Sequence, residues 1–106
     1  WAKELLDLLG KNGECWTQCA YAVNKKGNPC NAFAEDACKW CLVGGLRIIA
    51  SVRHRVSFDI AYRSIVAKIG CCPEGFNDCA YSFNEIKKLL NSLAEDAKRV
   101  ENESVA

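Results

Sequence analysis

Histidine is nearly absent from this chain, and much chemistry goes with it. A single one, His54, stands among 106 residues, so no Cys–His pair lies close in sequence and no His-rich metal motif exists. His54 alone makes neither a catalytic triad nor a metal site. No paired general acid and base, phosphate-binding loop or nucleophile elbow can be traced either. Long apolar runs are missing as well. None approaches the ~18 residues that a membrane-spanning helix requires, and the stretch from Cys41 to Val52 is broken by Gly44, Gly45 and Arg47. Excess charge of one sign is lacking too: the formal net charge is +1, too small for a field that steers toward nucleic acid or an anionic membrane surface. No signal-peptide pattern is recognised, although the sequence begins at Trp1 rather than Met, as a processed or trimmed form would. Internal repeats and low-complexity segments are also lacking.

What the chain does have is cysteine. Eight of them, Cys15, Cys19, Cys30, Cys38, Cys41, Cys71, Cys72 and Cys79, pose a choice between disulfide staples, metal ligands and small buried hydrophobes. At this length a hydrophobic core alone can hold a domain together, since only chains below ~40 residues usually need staples. Half of the residues are apolar and a quarter charged, an ordinary globular balance. The expectation is one helical domain over residues 1–100 with a frayed tail at 101–106.

The apolar spacing reads as helical throughout. Leu5, Leu6, Leu8 and Leu9 make a short helix that Gly10 and Gly13 would end. Residues 15–23 are apolar but aperiodic, and fit a short helix or an extended arm equally well. Asn24 to Pro29 is a turn. From 33 to 53, Ala34, Cys38, Cys41, Gly45, Ile48 and Val52 recur at spacings of three and four, which predicts a long central helix. Gly44 and Gly45 inside it favour a close backbone contact over a kink. Ser57 is a plausible N-cap for a helix that stops at Gly70, and the Pro-containing stretch 71–75 reads as a tight non-helical connection. Ser82 and Glu85 form a capping box before a last helix lined by Ile86, Leu89, Leu90, Leu93, Ala97 and Val100. The fold class expected is therefore all-α, a compact bundle of about four main helices around the central one.

Three segments taken together carry a resemblance. They are Cys15-Trp-Thr-Gln18 leading into the Gly27 turn, Ala37-Cys-Lys-Trp-Cys-Leu-Val-Gly-Gly-Leu46, and Phe76-Asn-Asp78 followed by Ser82 and the final helix. In this order and spacing they resemble an uncharacterised family of small helical proteins from bacteria and their phages. Its pattern has a Gly-Trp opening, a Trp-Cys-x-x-Gly-Ala-Leu centre and a Trp-Asn-Asp segment. The likeness spans roughly Leu5 to Ala97. Cys15 stands where the pattern has Gly, Cys19 where a small residue is usual, Gly45 where it has Ala, and Phe76 where it has Trp. Of the eight cysteines only Cys41 matches. The resemblance implies a cytoplasmic helical protein with idiosyncratic extra cysteines, and it carries over no activity.

The candidate sites follow from both readings. Trp16, Gln18, Trp40, Asn77 and Asp78 are the polar and aromatic residues that could wall a small-ligand pocket; equally, Asn77 and Asp78 could turn the chain into the last helix. Cys38 and Cys41 form a Cys-x-x-Cys that invites a metal or redox reading. Their expected place inside a helix favours core packing, and Cys41 is expected to be a buried filler, unmetallated and unbridged. Outside this pair disulfides have the stronger claim, between elements rather than within one helix, where Cβ atoms stand ~5–6 Å apart against the ~4 Å a bridge wants. The basic run Arg53-His54-Arg55, with Arg47 and Arg63, reads as a solvated helix-end loop. The function expected is a non-enzymatic binding protein for a protein partner or small ligand, with no cofactor, no membrane partner and nucleic acid disfavoured. The alternatives are a thiol-based metal or redox protein using Cys38 and Cys41, or a secreted, disulfide-stapled helical protein.

Overall fold

The computed structural model describes the backbone of residues 1–105 and the side chains of residues 1–99. Five helices and a three-stranded antiparallel sheet make up the described residues, so the fold is mixed and not all-α. The first helix, α1 (Ala2–Leu9), ends where Gly10 adopts φ 90°. An arm without regular structure then runs to β1 (Ala22–Asn24), which pairs with β2 (Pro29–Cys30) and with β3 (Ala37–Trp40) in the order β2-β1-β3. The turn expected at 24–29 is the hairpin connection. Asn24 Oδ1 accepts from the amides of Lys26 and Asn28, and Gly27 supplies the positive φ of 82°. The 15–23 stretch is the extended arm of the two alternatives.

The helix expected over 33–53 is helix only in its second half. Residues 37–40 form β3, and α2 (Leu42–Ser51) begins only after Cys41. The three-and-four spacing of Ala34, Cys38 and Cys41 is a coincidence of small residues on an extended segment; only Gly45 and Ile48 belong to α2, and Val52 caps its end. A second correction concerns 71–75, expected to be a non-helical connection because of its proline. Pro73 is instead the first residue of α4 (Pro73–Cys79), the position where its missing N–H and fixed φ cost nothing. Between them, α3 (Phe58–Ile69) starts at the Ser57 cap, whose hydroxyl accepts from the Ile60 amide at 3.2 Å, and stops at left-handed Gly70. The last helix, α5, spans Phe83–Val105. Glu85 closes its half of the capping box on the amides of Tyr81 and Ser82. The expected frayed tail falls on the final turns of α5, and its last residue lies outside the described residues.

One core joins these elements. Leu5 and Leu9 of α1, Leu42, Leu46 and Ile49 of α2, Ile65 of α3, and Ile86 and Leu90 of α5 are fully buried. Burying each such side chain stabilises the fold by ~1.5–3 kcal/mol before entropy is charged. The first half of α2 is buried all round, from Leu42 to Leu46, because α1, α3, α4 and β3 all pack against it. Its glycines explain how. A side chain on Gly44 would run into the carbonyl of Tyr21, and one on Gly45 would reach Leu5 at 2.8 Å. The glycine pair lets the arm and α1 close on the start of α2.

Candidate functional site

The start of α2 is also where the chain's polar candidates converge. Asn77, which shares the buried face of α4 with Pro73, is fully buried. Its Oδ1 accepts from the Trp16 indole at 2.7 Å and from the Leu42 amide at 2.9 Å. Its Nδ2 donates to the Thr17 carbonyl and to Asp78 Oδ1, both at 3.1 Å. All four of its bonding positions are therefore occupied by protein, as burial of an amide demands. Gln18 reaches the C-terminal end of α4, its Nε2 donating to the carbonyls of Asn77 at 3.0 Å and Ala80 at 2.9 Å. Asp78 Oδ1 accepts from the Cys19 amide at 2.8 Å, which holds Cys19 at φ 63°. Trp16 completes the junction by tilting against Phe83, ring centroids 5.5 Å apart.

Trp40 takes part through its backbone only. Its amide donates to Cys15 O at 2.8 Å and its carbonyl accepts from Thr17 N at 3.0 Å, tying the arm to β3. Its indole turns elsewhere, to Ala32 O at 3.0 Å. The structure thus brings Trp16, Gln18, Asn77 and Asp78 into one hydrogen-bonded junction and sends the Trp40 ring away. No buried side-chain polar atom among the described residues lacks a partner.

Cys38 and Cys41 are not a turn apart on a helix. They stand three residues apart along extended backbone, which sends their side chains to opposite faces. Cys41 is the N-cap of α2, its Sγ accepting from Gly44 N at 3.2 Å. It is 4% exposed, and burial pushes its thiol up, reinforced by the nearby Asp78 and Glu74 carboxylates and only partly offset by the helix amides. A helix N-terminus ordinarily favours thiolate; here desolvation wins. Cys72 caps α4 in the same Cys-x-x-Gly manner, accepting from Gly75 N at 3.3 Å. No two of the eight sulfurs are bridged in this structure, and among the described residues no group of three or more His, Cys, Asp or Glu is arranged to hold a metal.

Open clefts lie beside the junction rather than in it. One of ~300 Å³ is lined by Cys19, Ala20, Tyr21, Cys41, Glu74 and Asp78. Glu74 there accepts from the Tyr62 hydroxyl at 2.8 Å, a bond that also pushes the phenol up. Tyr21 is the wall shared with a second cleft of ~220 Å³, whose other lining residues are Cys30, Asn31, Ala32, Phe33 and Arg47. Tyr21 and Phe33 are about half exposed, at 48% and 51%, and the Arg47 guanidinium stacks on Tyr21 and Phe58, 5.8 and 4.8 Å from the ring centroids. Sequence reasoning placed Arg47 in a basic cluster and passed over Tyr21, Asn31 and Phe33. Arg47 in an otherwise apolar helix start was the one available signal. Of the rest of that cluster, Arg53 and Arg55 are turned onto Glu4 of α1, at 3.9 and 2.9 Å.

Compared with protein-family models, with curated proteins and with solved structures, the chain matches none. No described helix is long and apolar enough to cross a membrane.

Proposed function

We propose that this is a non-enzymatic binding protein that takes a small ligand, or a short segment of a protein partner, at the surface around Tyr21. The observation that carries the reading is the contrast at that residue. Buried polar side chains are engaged with one another, whereas the two clefts that Tyr21 separates are lined by half-exposed aromatics and by polar atoms with partners to spare. Binding surfaces take this form, apolar walls with a few convergent polar groups. The family resemblance and a cytoplasmic location belong to the same proposal; intact mass of the native protein with and without reductant tests the location, because bridged cysteines would favour secretion.

The test is a fragment screen read on the amide and side-chain signals of the labelled protein. Shifts clustering on Tyr21 and its neighbours support the reading. Turnover of any small-molecule substrate that a single point mutation abolishes would overturn it.

One observation favours a thiol-based second reading. Cys71, Cys72 and Cys79 are all exposed and, with Glu85, line a cleft of ~370 Å³. Peptide mapping after mild oxidation decides it: a bridge from Cys79 to Cys71 or Cys72 supports a redox role, and three thiols that stay reduced sink it.

A further inference from the structure

The smaller cleft at Tyr21 has a chemical bias that goes beyond a generic binding surface. No carboxylate lines it, whereas Glu74 and Asp78 line its neighbour. Its polar groups are mostly donors. Arg47 makes no ion pair or hydrogen bond with any described residue, although it is held against two rings. Asn31 Oδ1 accepts from the Phe33 amide at 2.9 Å, which fixes the side chain and leaves its Nδ2 hydrogens unengaged. The ring faces of Tyr21 and Phe33 and the methyl of Ala32 supply the apolar part.

Resting on the binding reading above, we propose that this cleft binds a small aromatic carboxylate, with Arg47 as the anion-binding residue. A guanidinium stacked on aromatic rings is poorly hydrated and restricted in orientation, and its donors at the edge match a carboxylate in bidentate fashion. The Coulomb attraction gains from the partial exclusion of water by the rings. Size fixes the rest of the ligand. A volume of ~220 Å³ is below the ~300–1,000 Å³ of sites for drug-sized molecules, so one ring and its carboxylate fill it. Asp36 lies close enough to Cys30, which lines the cleft, to push that thiol up after burial has done so, but it is not paired with Arg47.

The experiment is a titration of the labelled protein with phenylacetate, phenylacetamide and inorganic phosphate, followed by chemical shifts. Phenylacetate is expected to bind saturably, with a Kd in the millimolar range, and to shift Tyr21, Asn31, Phe33 and Arg47. Phenylacetamide should bind about tenfold more weakly, R47A should lose phenylacetate binding, and R47K should weaken it several-fold because a point charge does not reproduce the fork. Arg47 is exposed, so unchanged far-UV circular dichroism checks that these variants fold. Equal binding of acid and amide, binding indifferent to Arg47, phosphate binding as tight as phenylacetate, or no binding each overturn the proposal. Shifts confined to the Glu74 and Asp78 cleft would overturn it while leaving the broader binding reading standing.

Discussion

The Asn77 junction and the Tyr21 face lie close together and are built from the same segments, yet they use side chains in opposite ways. At the junction, amide, indole and carboxylate groups are consumed in sealing an arm that has no regular structure of its own. Asn77 replaces the ladder the arm lacks, bonding Thr17 O on one side and the Leu42 amide at the start of α2 on the other. At the face, the side chains of Tyr21 and Arg47 are held by stacking and remain exposed to solvent. A cluster of polar and aromatic residues in loops is thus not by itself a site: what matters is whether its donors and acceptors have already been matched by backbone.

The comparison can be broken from the junction side first. Gly44→Ala should have the largest effect, because its Cβ meets backbone at Tyr21 that cannot move without giving up its bond to the Cys41 amide at 3.1 Å; a loss of roughly 3 kcal/mol or more is expected in urea unfolding. Asn77→Ala comes next. It orphans the Trp16 indole, the Leu42 amide and the Thr17 carbonyl at once, and each buried unmatched group costs about 1–3 kcal/mol. A total near 3 kcal/mol is expected, with relaxation and water entry taking part of the sum. Cys41→Ala removes one cap and a small buried group, for about 1–2 kcal/mol, and Cys41→Leu should cost more by overpacking the start of α2. In native protein Cys41 should react with a thiol reagent far more slowly than Cys71, Cys72 and Cys79; equal rates would contradict its placement.

The smallest expected effect lies away from both regions. Lys68 bonds Asp96 at 2.8 Å between α3 and α5, and that bond, with the charges of Lys68 and Arg99, holds the Asp96 carboxyl below its ordinary value of 3.8. A carboxyl lowered on folding contributes stability above the ordinary value and loses it as pH falls through the folded one. The pair is exposed, so the gain is small. Urea midpoints of wild type and Asp96→Asn should differ above about pH 4 and converge below it.

Much of this was legible in the sequence where local chemistry decides local structure. Gly10, Ser57, Gly70 and Glu85 mark helix ends by capping or by positive φ, and Asn24 with Gly27 marks the hairpin. The strand β3 was hidden because Ala34, Cys38 and Cys41 mimic a helical stripe that continues in register into Gly45 and Ile48, and a four-residue strand has too few positions for alternation to show. Its partner β1 is more than a dozen residues away, and strand pairing over that distance leaves no local mark. Helix α4 is masked by Pro73, which reads as a helix breaker, although Cys72-Pro73-Glu74 carries the marks of a start, with proline first and an acid in the first turn. The convergence of Trp16, Gln18, Asn77 and Asp78 was foreseeable as a grouping. Its saturation was not, because which donor meets which acceptor depends on the arm's path.

Hydrogen exchange tests the junction most directly. Asn77 Oδ1 accepts two protons, from the Trp16 indole and from the Leu42 amide, and if it seals the arm both should open only when the molecule unfolds as a whole. The expected result is that both exchange near the rate of the slowest core amides, while the exposed loop amide of Lys25 exchanges freely, and that Asn77→Ala speeds the two together. Exchange of the Trp16 indole and the Leu42 amide at loop-like rates in the native protein would contradict the account.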